Sequence, residues 1–406
     1  MAYNIDNIRD DFPVLKQAIR GKPPIYFDNA CMTLRPRQVL EAMNRYYLCH
    51  PSCHKRAMHS FGEMTSARYE EARQAIQKFI NAKMPQEVIF TRNTTESINL
   101  IANAFPFENG DIVLTTELEH NSNLLPWQVL SQGKGVIHRI FALGQDSSFD
   151  LDNFKDILAQ GRVRLVSVFQ TSHVTGQSLP VKAIIDVAHQ YGVLVLLDGA
   201  QSVGHQKIDV QELDVDFFGF SFHKMLGPSG MGALYAKKAI LEQMRPFLVG
   251  GETVEDVDYV SFVLAKIPDK FEAGLQNYAG AIGAKAAIEY LRDIPLEARN
   301  QHVLKLNNFI TEKILKLPRL NLLGPKDAAL RGGIINFFID GMDSGDLSIF
   351  LDKTNNIMVR SGLHCAHAWY KKHKLVSTVR VSLYFYNTMQ EAELFNETIE
   401  KIVKYF

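Results

Sequence analysis

A short apolar run, Val193-Leu-Val-Leu-Leu197, ends on a carboxylate, Asp198, followed by Gly199-Ala-Gln201. A run with no polar alternation is what a strand buried on both faces requires, and such strands belong to parallel sheets covered by helices on each side. A second apolar run, Asp216-Phe-Phe-Gly-Phe-Ser221, leads to His223 and Lys224, and Gly227-Pro-Ser-Gly230-Met-Gly232 follows. In open α/β sheets ligands bind outside the carboxyl ends of the strands. Asp198 and Lys224 are therefore expected to face one crevice. Asp198 capping a turn and Lys224 standing in solvent is the plainer alternative for either residue taken singly.

The same alternation runs on both sides of this stretch. Strands are expected at Glu87–Thr91, Asp111–Thr115, Val136–Ile140 and Arg164–Phe169, with helices between them, notably 66–81, 97–104 and 181–191. From residue 87 to 224 the order is β-α-β-α throughout, hence a doubly wound α/β sheet. Met231–Tyr235 reads as one more strand. Before it, residues 1–20 read as a short polar helix and Tyr26-Phe-Asp28-Asn29-Ala30 as a brief strand ending in a turn. Segments 250–252 and 271–277 read as loops. Beyond about residue 291 the pattern changes to strands at 320–323, 333–339, 357–360 and 378–383, helices near 345–353 and from 390 to about 405, and a loop around 360–367. The expected organisation is a large α/β domain over 21–290, with 1–20 and 291–406 forming a smaller α+β domain.

Several residues at predicted strand ends carry chemistry. Thr94-Thr95, after a strand and at a helix start, offers hydroxyls and free backbone N–H groups at the positive end of a helix dipole, a seat for a phosphate. An ordinary N-cap reads the same way when taken alone. His120 follows the next strand and would lie in the same crevice, where an imidazole can stack on a flat ring and move protons. An acid able to hold a pyridinium nitrogen, a lysine able to form an imine and a phosphate seat together meet the needs of pyridoxal phosphate. Cys365 lies in Arg360-Ser-Gly-Leu-His364-Cys365-Ala-His367, and Arg380 offers a fork for a carboxylate. Cys49-His50-Pro-Ser-Cys53-His54 has zinc-compatible residue types but no second half-site, so it is read as a loop near the site mouth and no metal is expected.

Composition removes other classes. With 406 residues, 44 basic and 44 acidic, the chain has zero formal charge, which disfavours nucleic-acid binding. No apolar run approaches a membrane span. The first residues, Met-Ala-Tyr-Asn-Ile, do not form a secretory leader, and four cysteines in so long a chain do not make a disulfide framework, so a cytoplasmic protein is expected.

Taken together, these residues resemble the group II (SufS-like) cysteine desulfurase and selenocysteine lyase family, in the class V aminotransferase branch of fold type I pyridoxal phosphate enzymes. The resemblance runs from about Tyr26 to the C-terminus. Thr94-Thr95-Glu96, Glu119-His120, Asp198-Gly-Ala-Gln201, Ser221-Phe-His223-Lys224, Phe271-Glu-Ala-Gly274, Arg360-Ser-Gly-Leu-His-Cys365-Ala, Arg380 and Tyr386-Asn-Thr388 carry it. It implies a mixed, mostly parallel seven-stranded sheet in the large domain. It also implies that Lys224 holds pyridoxal phosphate, that Asp198 meets the pyridine nitrogen, that Gln201 lies by the ring hydroxyl and that His120 stacks on the ring. Thr94, Thr95, Ser221 and His223 would hold the phosphate. Arg380 would take the substrate carboxylate, with Arg360, Asn29 and Ala30 beside it. Cys365 would accept sulfur from L-cysteine as a persulfide, for transfer to an acceptor protein in iron–sulfur or other sulfur-cofactor assembly, in a homodimer.

Four positions depart from that pattern. His173 stands where asparagine is usual near the cofactor's ring oxygen. Leu275-Gln276 stand for Thr-Pro, whose threonine would reach the partner subunit's phosphate. Leu363 stands for the first histidine before the cysteine, and Cys31 for a small alanine. Selenocysteine as substrate, or a class V C–S lyase or transferase with no persulfide, remain alternatives. A non-catalytic sulfur-assembly partner is a third reading, disfavoured by the joint presence of Asp198, Lys224 and Cys365.

Overall fold

The computed structural model describes residues 3–144 and 146–405. The expected leaderless start and the outer domain limits at 1 and 406 fall partly outside these residues. A seven-stranded sheet forms the centre. In spatial order its strands are Val88–Thr91, Gly232–Ala236, Phe217–Ser221, Leu194–Asp198, Val163–Phe169, Ile112–Thr116 and Ile137–Phe141. Every residue of Phe217–Ser221 and Gly232–Ala236 is buried, as is all of Leu194–Asp198 except Leu194. Two-sided burial is the reason these strands are continuously apolar. Only Gly232–Ala236 runs against its neighbours. A parallel return needs a crossover of a dozen residues or more. The connection from Ser221 to Gly232 holds a single helical turn, Phe222–Lys224, and so allows only an antiparallel return.

Strand register brings the chemistry to one edge. Phe169 pairs with Asp198, Asp198 with Gly219, and both Thr91 and Ser221 with Gly232. The helix Thr94–Ala104 starts directly above that edge. Glycine is required where it does so: a Cβ on Gly232 would stand 2.6 Å from the Cα of Asn93, and one on Gly219 3.1 Å from the Cβ of Ser97.

A second, antiparallel sheet is ordered Leu320–Leu323, Ile334–Ile339, Thr378–Ser382, Arg360–Gly362. The helices Leu296–Ile314, Ser344–Asn355 and Met389–Tyr405 accompany it. The N-terminal segment joins this half. Ile25–Tyr26 pairs in parallel with Ile357–Met358, Ser382 donates its N–H to the Phe27 carbonyl (2.7 Å), and Arg9 pairs with Glu391 (2.9 Å).

Two local expectations differ from the structure, and one element stands where none was expected. Between the loops at 250–252 and 271–277 lies a hairpin, Val254–Val257 with Phe262–Leu264. Its side chains are mostly exposed on both faces, so it lacks the alternation that marks a half-buried strand. Arg360–Gly362 is a strand because Thr378–Ser382 lies alongside it, a long-range pairing invisible locally, and His367–Lys372 behind it is a helix. The helix expected at 66–81 spans Ser60–Phe79; its cap is His59, whose ring accepts from the Gly62 N–H at 3.4 Å and is not a usual start signal. No helix among the described residues is long and apolar enough to cross a membrane.

Candidate active site

The carboxyl ends of the large sheet and the cysteine-bearing loop of the second sheet enclose a cavity of about 250 Å³. Lys224, Asp198, His120, His173 and Gln201 line it from the large sheet, with Thr94, Thr95, Ser221 and His223 at one end. Arg360, Cys365 and Arg380 line it from the other side, and Ala30 and Cys31 from the N-terminal segment. Of the residues expected at the site, Asn29 alone is not brought to this cavity. Its amide donates to the Ser382 carbonyl (2.7 Å), its oxygen accepts from Tyr386, and it borders a neighbouring cavity.

The helix end at Thr94 is built as an anion seat. Asn93 caps the helix by accepting from the Glu96 N–H at 3.0 Å. The Thr94 N–H and hydroxyl both meet the Ser221 hydroxyl, at 2.8 and 2.7 Å, and the Thr95 and Ser122 hydroxyls meet at 2.7 Å. The Thr95 N–H has no partner among the described residues. His223 adds a ring whose pKa burial pushes down to about 4.

The middle of the cavity is framed by ionisable groups held neutral or unpaired. Asp198 is buried, and that burial raises its pKa; one oxygen accepts from the Ala200 N–H (2.9 Å) and the other has no protein partner among the described residues. Burial lowers the pKa of Lys224, against the pull of Asp198. The His120 ring packs edge-on to His173, with centroids 4.9 Å apart. Burial first, then the charges of Lys224, Arg380 and Arg360, push His120 down to about 3. Its Nδ1 accepts from the Ser122 N–H at 3.0 Å, which leaves the ring proton on Nε2. His173 is also held well below its usual value by burial, and its Nε2 is buried with no partner.

Behind His120 lies Glu119, to which the sequence alone assigns no role. Its carboxyl bonds the Thr116 hydroxyl (2.6 Å), the Asn123 amide (2.8 Å) and the Phe169 N–H (3.2 Å). It thereby ties the ends of two strands, and burial raises its pKa to about 8. A carboxylate immediately before a strand-end histidine was the only available sequence signal.

Arg380 and Arg360 are register partners across two strands. Like charges so placed repel, and a pair of this kind, Arg380 buried and Arg360 half-buried, suits an anion lying between them. Arg380 is 3 % exposed, donates Nη1 to the His173 carbonyl (2.8 Å), stands 3.6 Å from Asp28, and keeps Nε unpartnered. Arg360 donates to the Cys31 sulfur at 3.0 Å. His364 and Cys365 are consecutive non-glycine residues with φ of 48° and 59°, a strained pair of the kind that clusters at functional turns. The turn is tied down where the Asn121 N–H donates to the Cys365 carbonyl (2.7 Å) and Asn121 meets His367 at 2.9 Å. His364 contacts the Thr378 hydroxyl (2.9 Å). Of the other departures, Leu363 packs partly buried against the hydrophobic core, while Leu275 is 74 % exposed and outside the cavity.

The Cys49–His54 segment does not line the cavity. His50 and His54 are buried near the Tyr46, Tyr69 and Tyr278 rings, and no group of side chains that could hold a metal occurs among the described residues. The residues missed from sequence, Asn93, Ser122, Phe169, Thr171 and Ala200, lie within a few positions of an expected strand end.

The histidines set an acid limit on stability. His120, His223 and His364 have folded pKa values of about 3, 4 and 2, against 6.5 for the free side chain. Below pH 6.5 the unfolded chain takes up protons that the folded chain refuses. Stability is therefore present above that value and is lost progressively as pH falls. Glu119, whose raised pKa works the other way, offsets part of this, but the lowered histidines, His138 and His205 among them, outnumber it. The urea midpoint is therefore expected to drop from about pH 6.5 towards about pH 5; a flat midpoint there would contradict the assigned neutral rings.

The fold and cavity define a class. The chain belongs to the aminotransferase class V family, whose pattern matches residues 25–395. Two relatives named "Probable cysteine desulfurase" are similar over the whole length. That of Halalkalibacterium halodurans is 38% identical over 406 residues, covering 99% of both chains; that of Synechocystis sp. is 37% identical over 403 residues, covering 98% of this chain and 96% of its own. The apo structure of a cysteine desulfurase from Thermococcus onnurineus NA1 superposes with a TM-score of 0.94 at 35% identity, covering 100% of each chain.

The family's cofactor is pyridoxal phosphate, and this cavity fits it. The unpaired Asp198 oxygen suits a protonated ring nitrogen. The free Thr95 N–H with its ring of hydroxyls suits a phosphate, and the unpartnered His173 Nε2 and Arg380 Nε are buried polar atoms that a bound group would satisfy.

Proposed function

We propose that the chain is a cysteine desulfurase that takes L-cysteine to L-alanine and leaves the sulfur on Cys365 as a persulfide, for transfer to an acceptor protein in iron–sulfur or other sulfur-cofactor assembly. The observation that carries this reading is the meeting of Cys365 with Lys224, Asp198 and Arg380 in one cavity. A class V enzyme without persulfide chemistry has no need of a thiol there. The names of the full-length relatives support the same reading.

Thr94, Thr95, Ser221 and His223 would hold the cofactor's phosphate, Asp198 its ring nitrogen, Gln201 and His173 the ring's oxygen side, with His120 over its face. Bound there, pyridoxal phosphate withdraws electrons from the substrate's α-carbon and weakens its bonds. Lys224, whose pKa burial lowers, is suited to take and return the α-proton at Nζ. The unpartnered Nε of Arg380 is free to bind the substrate carboxylate, which orients the thiol towards Cys365. His120, neutral with its proton on Nε2, can donate that proton and recover it. The Cys365 sulfur attacks the substrate sulfur, an S–S bond forms as the substrate's Cβ–S bond breaks with its electron pair left on the carbon side, and alanine departs once that carbon is protonated.

A homodimer is part of the proposal. The segment before the helix Ser60–Phe79 and the chain flanking the hairpin are joined where Lys55 pairs with Asp269 (2.8 Å), and the two flanks where Gly274 donates to the Gly251 carbonyl (2.8 Å). On these segments and the hairpin, Leu48, Met58, Val249, Tyr259, Val260, Phe262 and Leu275 are exposed. Large apolar side chains exposed in this number suit an interface. All four cysteines are free thiols, in keeping with a reducing cytoplasm.

The test is one incubation with L-cysteine in which alanine, sulfide and the mass of the Cys365 peptide are followed together. Alanine rising with a persulfide on Cys365 is expected. Alanine without any persulfide, under conditions that trap one, favours the C–S lyase alternative.

A further inference from the structure

Cys31 is the one departure from the family pattern that adds a thiol to the cavity. Its position is held from several sides. The Gln201 amide donates to the Ala30 carbonyl (2.7 Å), and the Ala30 N–H donates to the Ser382 hydroxyl (2.9 Å). The Thr33 N–H donates to the His223 carbonyl (2.9 Å), and the Leu226 N–H to the Thr33 hydroxyl (2.8 Å). The loop carrying Cys31 is thus fastened to the elements carrying Asp198, Lys224 and Arg380.

Two further observations make this thiol more than a small filler. Its sulfur accepts a hydrogen bond from Arg360 at 3.0 Å, and the chain runs from Arg360 through the strained turn straight to Cys365. A guanidinium in contact is a counter-charge for a sulfur that carries a persulfide anion. Cys31 and Cys365 both line the same cavity of about 250 Å³. Arg380 lines that space too, keeps a buried Nε without a partner, and is a second cationic donor.

We propose that Cys31 is a second sulfur station: it takes the outer sulfur from the Cys365 persulfide by thiol exchange and frees Cys365 for another turnover. The Cys31 sulfur attacks the outer sulfur of the persulfide. A new S–S bond forms on Cys31, the S–S bond on Cys365 breaks, and the proton of the Cys31 thiol passes to the Cys365 sulfur. One sulfane sulfur moves, nothing is oxidised or reduced overall, and no co-reactant is consumed.

The proposal rests on Cys365 first acquiring a persulfide, and its test separates the two claims. The pyridoxal phosphate-loaded protein is given L-cysteine with no acceptor, quenched with an alkylating agent, and the Cys31 and Cys365 peptides are weighed. Wild type is expected to carry a persulfide at both positions and about twofold more sulfane sulfur per chain than Cys31→Ser, which keeps the Cys365 persulfide alone. In Cys365→Ser neither position is expected to be modified. A persulfide on Cys365 and none on Cys31 in wild type overturns the inference and leaves the desulfurase reading standing. A Cys31 persulfide that survives in Cys365→Ser, or a Cys31–Cys365 disulfide formed with release of sulfide, also overturns it. No persulfide anywhere sinks both claims. Because the decisive masses come from wild type, poor folding of a variant does not rescue the idea.

Discussion

Lys224→Ala is expected to lower the rate of alanine formation from L-cysteine by about 10³-fold or more, the order lost with a positioned proton-transfer group. The loss should fall on kcat, because Arg380 and the anion seat remain to bind substrate and cofactor. Stability should change little. Lys224 has no ion pair among the described residues, and burial already disfavours its charge, so alanine removes an ammonium that the fold does not use. A Tm close to wild type together with a silent enzyme is the expected pair of results. Retention of even a tenth of the wild-type rate would remove Lys224 from the role assigned to it.

Cys365→Ala is expected to abolish the protein-bound persulfide and to slow alanine formation roughly 100-fold, a loss of about 2.7 kcal/mol of transition-state stabilisation. Here too the fold should survive, since the side chain is only partly buried and the turn is held through the Cys365 carbonyl rather than its sulfur. Undiminished alanine with no persulfide at any position would show that the sulfur leaves without visiting this thiol. The two variants also divide the chemistry. Lys224→Ala should stop everything after substrate binding, whereas Cys365→Ala should still allow exchange of the substrate α-proton, measurable in deuterated water.

The parts of the site that were legible in sequence share a physical cause. Thr94, His120, His173, Asp198 and Lys224 each stand within a few residues of a strand's carboxyl end, and the strands announce themselves by burial on both faces. A parallel sheet collects such ends at one edge, so local pattern and one topological rule suffice to gather them. Asn29 shows the limit of that reasoning. It neighbours Ala30 in sequence, yet its amide is turned away to bond Ser382 and Tyr386, a choice made by tertiary hydrogen bonding. The hairpin at Val254–Leu264 escaped notice because exposed strands lack the apolar alternation that identifies them.

By itself, then, the sequence determined the large sheet, its order of elements and which residues stand at its strand ends, because each depends on short-range periodicity and on where a strand stops. Only the tertiary structure decided which residues of the second sheet share the cavity. Arg360 and Arg380 become partners through an antiparallel register, and Asn121 holds the Cys365 turn across the two sheets. Arg360 reaches Cys31 from the far end of the chain. Contacts between segments so distant in sequence leave no local periodicity, and they form only when both sheets have folded and packed.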